Sequence, residues 1–380
     1  MNLGFALALL GQAAPSGHFY LSESRQWTRI HPLMIQPSGT GKDPAFDLAK
    51  TVAREAGMQF LDSNNLTNAR FVGTYNDEGE LEPGIAKTQD IVGFREATQL
   101  FGSARQTYNE GLLTNVNNVI DGKEVTRPMA DGIIKFTPEC SIVGTSYIPD
   151  PDEIDVSHHF RTGTLSRFYW TFRDVTREDR RDDMIGLVEG EEMDLNERYA
   201  QVERLAETLV RIQSEIESNP RFEFEADERR LLDQISEMQL KVAKSASPRI
   251  ADLIDPAMPR YQMHTFRIAC LMAALNECST VVTDNHAETA LRLVERSWRE
   301  LIEFVSRYFG QSKEGEPPNE LRMAGLLKSA DEPITQKEVL DALPVGTKRS
   351  VRRYARRLER VGLIEIDDGR GTGPTTYKLV

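Results

Sequence analysis

Histidine and cysteine are scarce in this 380-residue chain, at six and three residues, and the scarcity narrows its chemistry. Cys140, Cys270 and Cys278 are odd in number and lack zinc-ligand spacing, so a reducing cytosol is the simple setting. His158 and His159 sit side by side in a polar loop and read as surface residues rather than metal ligands. Long apolar runs are missing too. The run from Phe5 to Leu10 is far shorter than a membrane span and has no basic residue ahead of it. It reads as a buried helix leading into a folded domain rather than as a secretion signal.

Positive charge is also in deficit, with 46 Lys/Arg against 59 Asp/Glu and a formal charge of −13. The deficit is uneven. From Glu320 onward 12 Lys/Arg face 9 Asp/Glu, which leaves −16 on the first 319 residues. An acidic body with a basic tail confines contact with polyanions to the tail or to a concealed channel. The length allows two or three domains.

Residues 1–180 alternate apolar strand-like runs with helical patterns, which predicts an α/β sandwich with a mostly parallel sheet. The expected strands are 32–35, 91–94, 141–145 and 168–172. Residues 181–258 are charged and helical, broken at Ser218-Asn219-Pro220, and 259–310 form a second helical block. Gly, Pro and charge mark 311–319 as a linker.

Residues 320–380 read as a winged helix. Two short helices and a turn at Pro344-Val345-Gly346 precede a third helix over 348–361, followed by a hairpin with a Gly-rich tip at 369–373. In the third helix Val351, Tyr354, Ala355, Leu358 and Val361 make one apolar stripe. Lys348, Arg349, Arg352, Arg353, Arg356, Arg357 and Arg360 supply a basic surface suited to a DNA groove or to phosphates.

The segment Ile35-Gln36-Pro37-Ser38-Gly39-Thr40-Gly41-Lys42-Asp43 follows an apolar strand and opens a helix expected from about Ala45 to Ala56. That is the setting of a phosphate-binding loop. Glycines let backbone N–H groups close around phosphate oxygens, the helix N-terminus adds partial positive charge, and Lys42 reaches the β- and γ-phosphates. The candidate ligands for ATP are Ser38, Gly39, Thr40, Gly41, Lys42 and Asp43. Two letters depart from the pattern. Gln36 stands in place of the first glycine, and Asp43 in place of the hydroxyl that binds Mg²⁺, which makes Asp43 the candidate metal ligand.

Further segments follow in order. Ile91 to Glu96 has the apolar run and closing glutamate of a Walker B strand, in which the glutamate polarises the attacking water; Arg95 replaces the preceding aspartate. Glu110 lies fourteen residues beyond Glu96. Glu139 to Ser146 reads as a sensor strand, with Thr145 or Ser146 facing the γ-phosphate. Arg167 is a candidate arginine finger for a neighbouring subunit's nucleotide, and Arg260 and Arg267 fall seven apart on one helical face.

Together these segments resemble the AAA+ motor of the minichromosome maintenance (MCM) replicative helicases. The family's Leu-Ser-Arg-Phe-Asp finger segment is matched by Leu165 to Phe168, with Tyr169 for the aspartate. Its sensor-2 arginine and following Arg-Leu pair are matched by Arg260 and Arg267-Ile268. Its spacing from the Walker B glutamate to a His-Glu pair is matched by Glu96 and Glu110, with Asn109 for histidine. Val281-Val282-Thr283 and Ala290-Leu291-Arg292-Leu293 fit the final lid helix. The resemblance covers about 5–175, 259–306 and the tail. It implies an AAA+ P-loop sandwich with a helical insertion and lid, ATP and Mg²⁺ as cofactors, Glu96 and Arg167 as catalytic residues, and Arg260 or Arg267 at the γ-phosphate. The implied protein is a cytoplasmic, ring-forming homo-oligomer that acts on DNA and makes no membrane contact. Lys123, Arg127 and Lys135 would lie near pore hairpins. The family's N-terminal collar domain has no counterpart here, so a separate protein supplying it is one expected partner.

Asp43 and Arg95 are expected to face each other at one metal site, with two outcomes. Either Asp43 supplies the ligand that Arg95 has vacated and Glu96 remains the base, or the Arg95 guanidinium takes the metal's place and pairs with Asp43. The first outcome gives an ATP-driven DNA helicase or remodeller, of the kind mobile elements carry. The second gives a non-hydrolysing P-loop scaffold that reaches DNA through its winged helix, as an initiator or regulator.

Overall fold

The computed structural model describes residues 3–21, 23–37, 41–63, 66–103, 109, 111–130, 132–147, 156–173, 195–243, 248–310, 319–330, 332–343, 348–360, 363–367 and 374–379. The chain forms two compact units, Met1–Ser306 and Arg307–Val380. The larger is mixed α/β around five parallel strands: β1 (Pro32–Ile35), β2 (Phe60–Asp62), β3 (Ile91–Phe94), β4 (Ser141–Ser146) and β5 (Tyr169–Phe172). Their spatial order is β5-β1-β4-β3-β2. Strands β1, β3, β4 and β5 are buried along their whole length, which is why they read as continuous apolar runs. Edge strand β2 is three residues long and half-exposed, and it carries no such signal.

The register fixes which ends meet. Ser146 and Phe172 both pair with Ile35, Gly144 with Phe94, and Asp62 with Gly93. The carboxyl ends of all five strands therefore lie at one edge of the sheet. From β1 the chain runs out to β2, returns through β3 and β4, and then passes to β5 on the other side of β1. Open parallel sheets hold ligands outside the carboxyl ends where the strand order changes direction, here beside β1.

Helix Leu3–Ala13 is buried almost throughout, against β1, β4, β5 and the helices Lys42–Glu55, Leu195–Ser218 and Met258–Glu277. Charged as it is, Leu195–Ser218 turns Val202, Ala206, Leu209, Ile212 and Ile216 inward at helical spacing and packs on Lys42–Glu55. Helix Asp284–Gly310 is tied to β5: Tyr169 Oη donates to the Leu293 carbonyl (2.9 Å), and the Phe172 N–H donates to Glu300 (3.0 Å). Among the described residues three two-stranded hairpins stand apart from the main sheet: His18–Leu21 with Ser24–Trp27, Gly73–Tyr75 with Leu81–Pro83, and Val125–Met129 with Gly132–Phe136.

The smaller unit has helices Asn319–Lys328, Gln336–Ala342 and Lys348–Arg360. Its antiparallel sheet places Thr376–Leu379 between Ile334–Thr335 and Ile364–Asp367. Val351, Tyr354, Ala355 and Leu358 of the third helix enter a core with Met323 and Tyr377. Among the described residues no helix is long and apolar enough to cross a membrane.

Candidate nucleotide site

Helix Lys42–Glu55 begins earlier than its pattern predicts, with Asp43 and Pro44 in its first turn, where proline costs no hydrogen bond. Gly41 caps it in the left-handed conformation (φ 78°), with no side-chain cap. The first N–H groups of a helix have no intrahelical partner. Here Lys42 and Asp43 carry such groups, and Pro44 has none to offer. Ser38, Gly39, Thr40 and Glu110 lie outside the described residues.

Lys42 is buried, and its Nζ meets Glu96 Oε1 at 2.8 Å. Fifty-four residues separate the two in sequence, yet one follows β1 and the other β3, the strands that flank β4 at the carboxyl edge. The second Glu96 oxygen, Oε2, is shielded from solvent and has no hydrogen-bond partner among the described residues. At the end of β4, Thr145 Oγ1 donates to the Arg95 carbonyl (2.6 Å), so Thr145 closes the turn that carries Glu96. Ser146 accepts at its carbonyl from the Gln36 N–H (3.0 Å), while its buried Oγ has no partner among the described residues. Of the two, Ser146 has the side-chain atom left to offer.

Arg95 does not face Asp43. Its Nε donates to Asp62 at the end of β2 (2.7 Å), its second nitrogen donates to Asp47 on helix Lys42–Glu55, and its guanidinium lies 4.7 Å from the Phe46 ring centre. Hydrogen bonding to Asp47 is the main cause that pushes the Arg95 pKa up, and the same bond pulls the Asp47 carboxyl down. Asp43 remains an exposed carboxylate one residue past Lys42.

The arginines lie elsewhere. Arg167 precedes β5 by two residues, and Tyr169 pairs with Pro32, the first residue of β1. Arg167 is thus at the amino edge of the sheet, the end opposite Lys42. There its Nε donates to Asp121 Oδ1 (3.1 Å) and its NH1 to the Gly163 carbonyl (2.6 Å). Arg260 joins it, donating from NH1 to the same Asp121 oxygen (3.1 Å), while Lys123 Nζ stands 3.3 Å from Oδ2. Burial pushes the Asp121 carboxyl up, but the Arg167 hydrogen bond and the Arg260 charge outweigh it and hold it below its ordinary range. Neither Arg167 nor Arg260 is in reach of its own chain's Lys42.

The chain matches no protein-family model and no curated protein.

Arg267 has a different place from the one expected. It is buried and donates to the Arg29 carbonyl (3.3 Å) ahead of β1. Burial lowers its pKa, and that of the neighbouring Arg29, to about 10. It braces the helix Met258–Glu277 against the amino edge and does not reach a phosphate at Lys42. His159 is buried with its ring 4.8 Å from Phe101, and no metal-binding group of three occurs among the described residues. Around the hairpin Val125–Met129 and Gly132–Phe136, Lys135 pairs with Glu124 (3.1 Å) and Arg127 donates to the Gly73 carbonyl. In the smaller unit Lys348, Arg352 and Arg356 are exposed; the side chains of Arg349, Arg353, Arg357 and Arg360 are outside what is described.

Sequence reasoning missed three carboxylates. Asp47 and Asp62 hold Arg95, and Asp121 holds Arg167 and Arg260. Asp47 and Asp62 had no signal, since a surface carboxylate on a helix or at a strand end is ordinary. Asp121 had one, because a carboxylate in the last turn of a helix opposes the helix dipole.

Proposed function

We propose that the chain is a P-loop ATPase of the AAA+ kind, akin to the MCM motors, that assembles with copies of itself and acts on DNA. The observation that carries this reading is the Lys42–Glu96 pair: a P-loop lysine and a strand-end glutamate converging outside the carboxyl ends of neighbouring parallel strands. In this role Lys42 and the helix N-terminus receive the phosphates, and Glu96, released from Lys42, orients the attacking water. Ser146, whose hydroxyl has no partner among the described residues, offers it to the terminal phosphate. Arg167 and Arg260 serve the nucleotide of an adjoining copy, since they sit at the wrong edge for their own.

The residues present fit a divalent cation. Asp43 is exposed beside Lys42, Glu96 Oε2 has no partner among the described residues, and Arg95 is engaged away from both. Asp43 and Glu96 would hold Mg²⁺, which when bound neutralises phosphate charge. The smaller unit, three helices and a hairpin with Arg352 and Arg356 exposed, supports a winged helix that rests on DNA.

The competing reading is a P-loop that binds nucleotide without hydrolysing it, and Pro44 favours it by removing one phosphate-facing N–H. ATP binding and turnover with DNA, in Mg²⁺ or in EDTA, distinguish the two. Mg²⁺-dependent turnover lost in Lys42→Ala and Glu96→Gln supports the ATPase. Binding without turnover selects the scaffold, and no binding overturns both.

A further inference from the structure

Resting on the reading above, the cluster at the amino edge poses a separate question: what keeps two guanidinium groups together before any phosphate arrives? Both Arg167 and Arg260 donate to one oxygen, Asp121 Oδ1, so their charges are held within a few ångströms of each other, with Lys123 on the other oxygen. Without an anion between them, three cations this close together separate. We propose that Asp121 is a positioning residue that holds Arg167 and Arg260 as one two-arginine clamp for the triphosphate of an adjoining copy.

The placement of Asp121 is costly for its own helix and is justified by its partners. It is the last residue of helix Leu112–Asp121, where the helix dipole disfavours a carboxylate. The helix ends there because Gly122 adopts a left-handed φ of 65°, and a Cβ on Gly122 would lie 2.1 Å from Trp27 Cδ1. Trp27 Nε1 donates to the Gly122 carbonyl (3.2 Å), which pins the residue after Asp121. Arg167 is pinned a second time, through the Gly163 carbonyl. Gly163 also has a left-handed φ, of 83°, and a Cβ there would sit 2.5 Å from Arg167 NH1. Asp121 therefore fixes one edge of the Arg167 guanidinium and Gly163 fixes another, and Arg260 is aligned beside it through the shared oxygen. Asp121 touches no nucleotide; it acts through the two arginines.

The test is steady-state ATP turnover by the full-length assembled protein, with affinity for a fluorescent ATP analogue measured in parallel. Asp121→Asn is expected to lower kcat by about tenfold to a hundredfold, the scale of losing an outer partner. Analogue affinity should stay within about twofold, because Lys42 and the helix N-terminus carry the ground-state binding and the clamp acts on charge that develops in the transition state. Asp121→Glu should recover part of the loss, which a purely structural defect would not. Mixing Asp121→Asn chains, whose P-loops are intact, with Lys42→Ala chains, whose clamps are intact, should restore turnover above either alone. Gly163→Ala displaces the same guanidinium without touching the carboxylate and should reproduce the kcat loss, so the test survives if Asp121→Asn fails to fold. If Arg167→Ala and Arg260→Ala abolish turnover while Asp121→Asn and Gly163→Ala match the unaltered chain, Asp121 has no positioning role. If the arginine variants themselves turn over normally, or the unaltered chain does not turn over at all, the reading beneath it fails as well.

Discussion

Arg95 stands where a metal-binding aspartate is expected, and it has become a staple between three elements. It bonds to Asp62 at the end of β2 and Asp47 on helix Lys42–Glu55, and it lies on Phe46. Replacing it with methionine keeps an apolar contact with Phe46 but takes the guanidinium from Asp47 and Asp62, of which Asp62 also has Lys50 Nζ at 3.5 Å. We expect Arg95→Met to lower the urea midpoint by the equivalent of about 1–3 kcal/mol, the usual cost of an abandoned polar partner. ATP affinity in EDTA should be unchanged; a tenfold loss there would mean that the guanidinium stands in for the metal after all. That Lys42 and Glu96 both stand past the carboxyl ends of strands was legible in the sequence, because each follows an apolar run. The partners of Arg95 were not, since they come from 33 and 48 residues away and ion pairing leaves no local pattern.

At the scale of elements, legibility followed burial. Strands β1, β3, β4 and β5 announce themselves as apolar runs because helices cover both faces, whereas β2 and the three hairpins are short or half-exposed. Ile334–Thr335 was missed for the same reason. The apolar stripe of helix Lys348–Arg360 was readable from Val351 to Leu358, because it keeps one helical period; Val361, expected to extend it, lies outside the described residues. The helix also carries a quantitative expectation. If Arg352 and Arg356 rest on phosphates, Arg352→Ala with Arg356→Ala weakens DNA binding by the full-length chain and lowers the slope of log affinity against log salt by about two. An unchanged slope would exclude this face from the DNA interface.

For the molecule as a whole, two of the buried histidines, His31 and His264, weaken the fold as the pH falls toward 5. Burial, reinforced by Arg267, drives the His264 pKa down to about 3, and burial with Arg267 and Arg29 holds His31 well below its ordinary value. Both are therefore neutral in the folded chain, while the unfolded chain protonates them near pH 6.5. Their stabilisation is complete above that pH and fades as the pH falls below it, at about 1.4 kcal/mol per unit for each histidine. Urea midpoints measured between pH 7 and 5 should fall accordingly, and His264→Leu should flatten the decline; a midpoint indifferent to pH would contradict the burial argument. The arrangement of the sheet has its own consequence for assembly. Lys42 opens from one end of the parallel strands, and Arg167 with Arg260 guards the other. If these are the two halves of one active site, copies must stack head to tail, and an open row always finishes with an unanswered P-loop at one end and an idle clamp at the other. Only closure of the row on itself leaves no terminus.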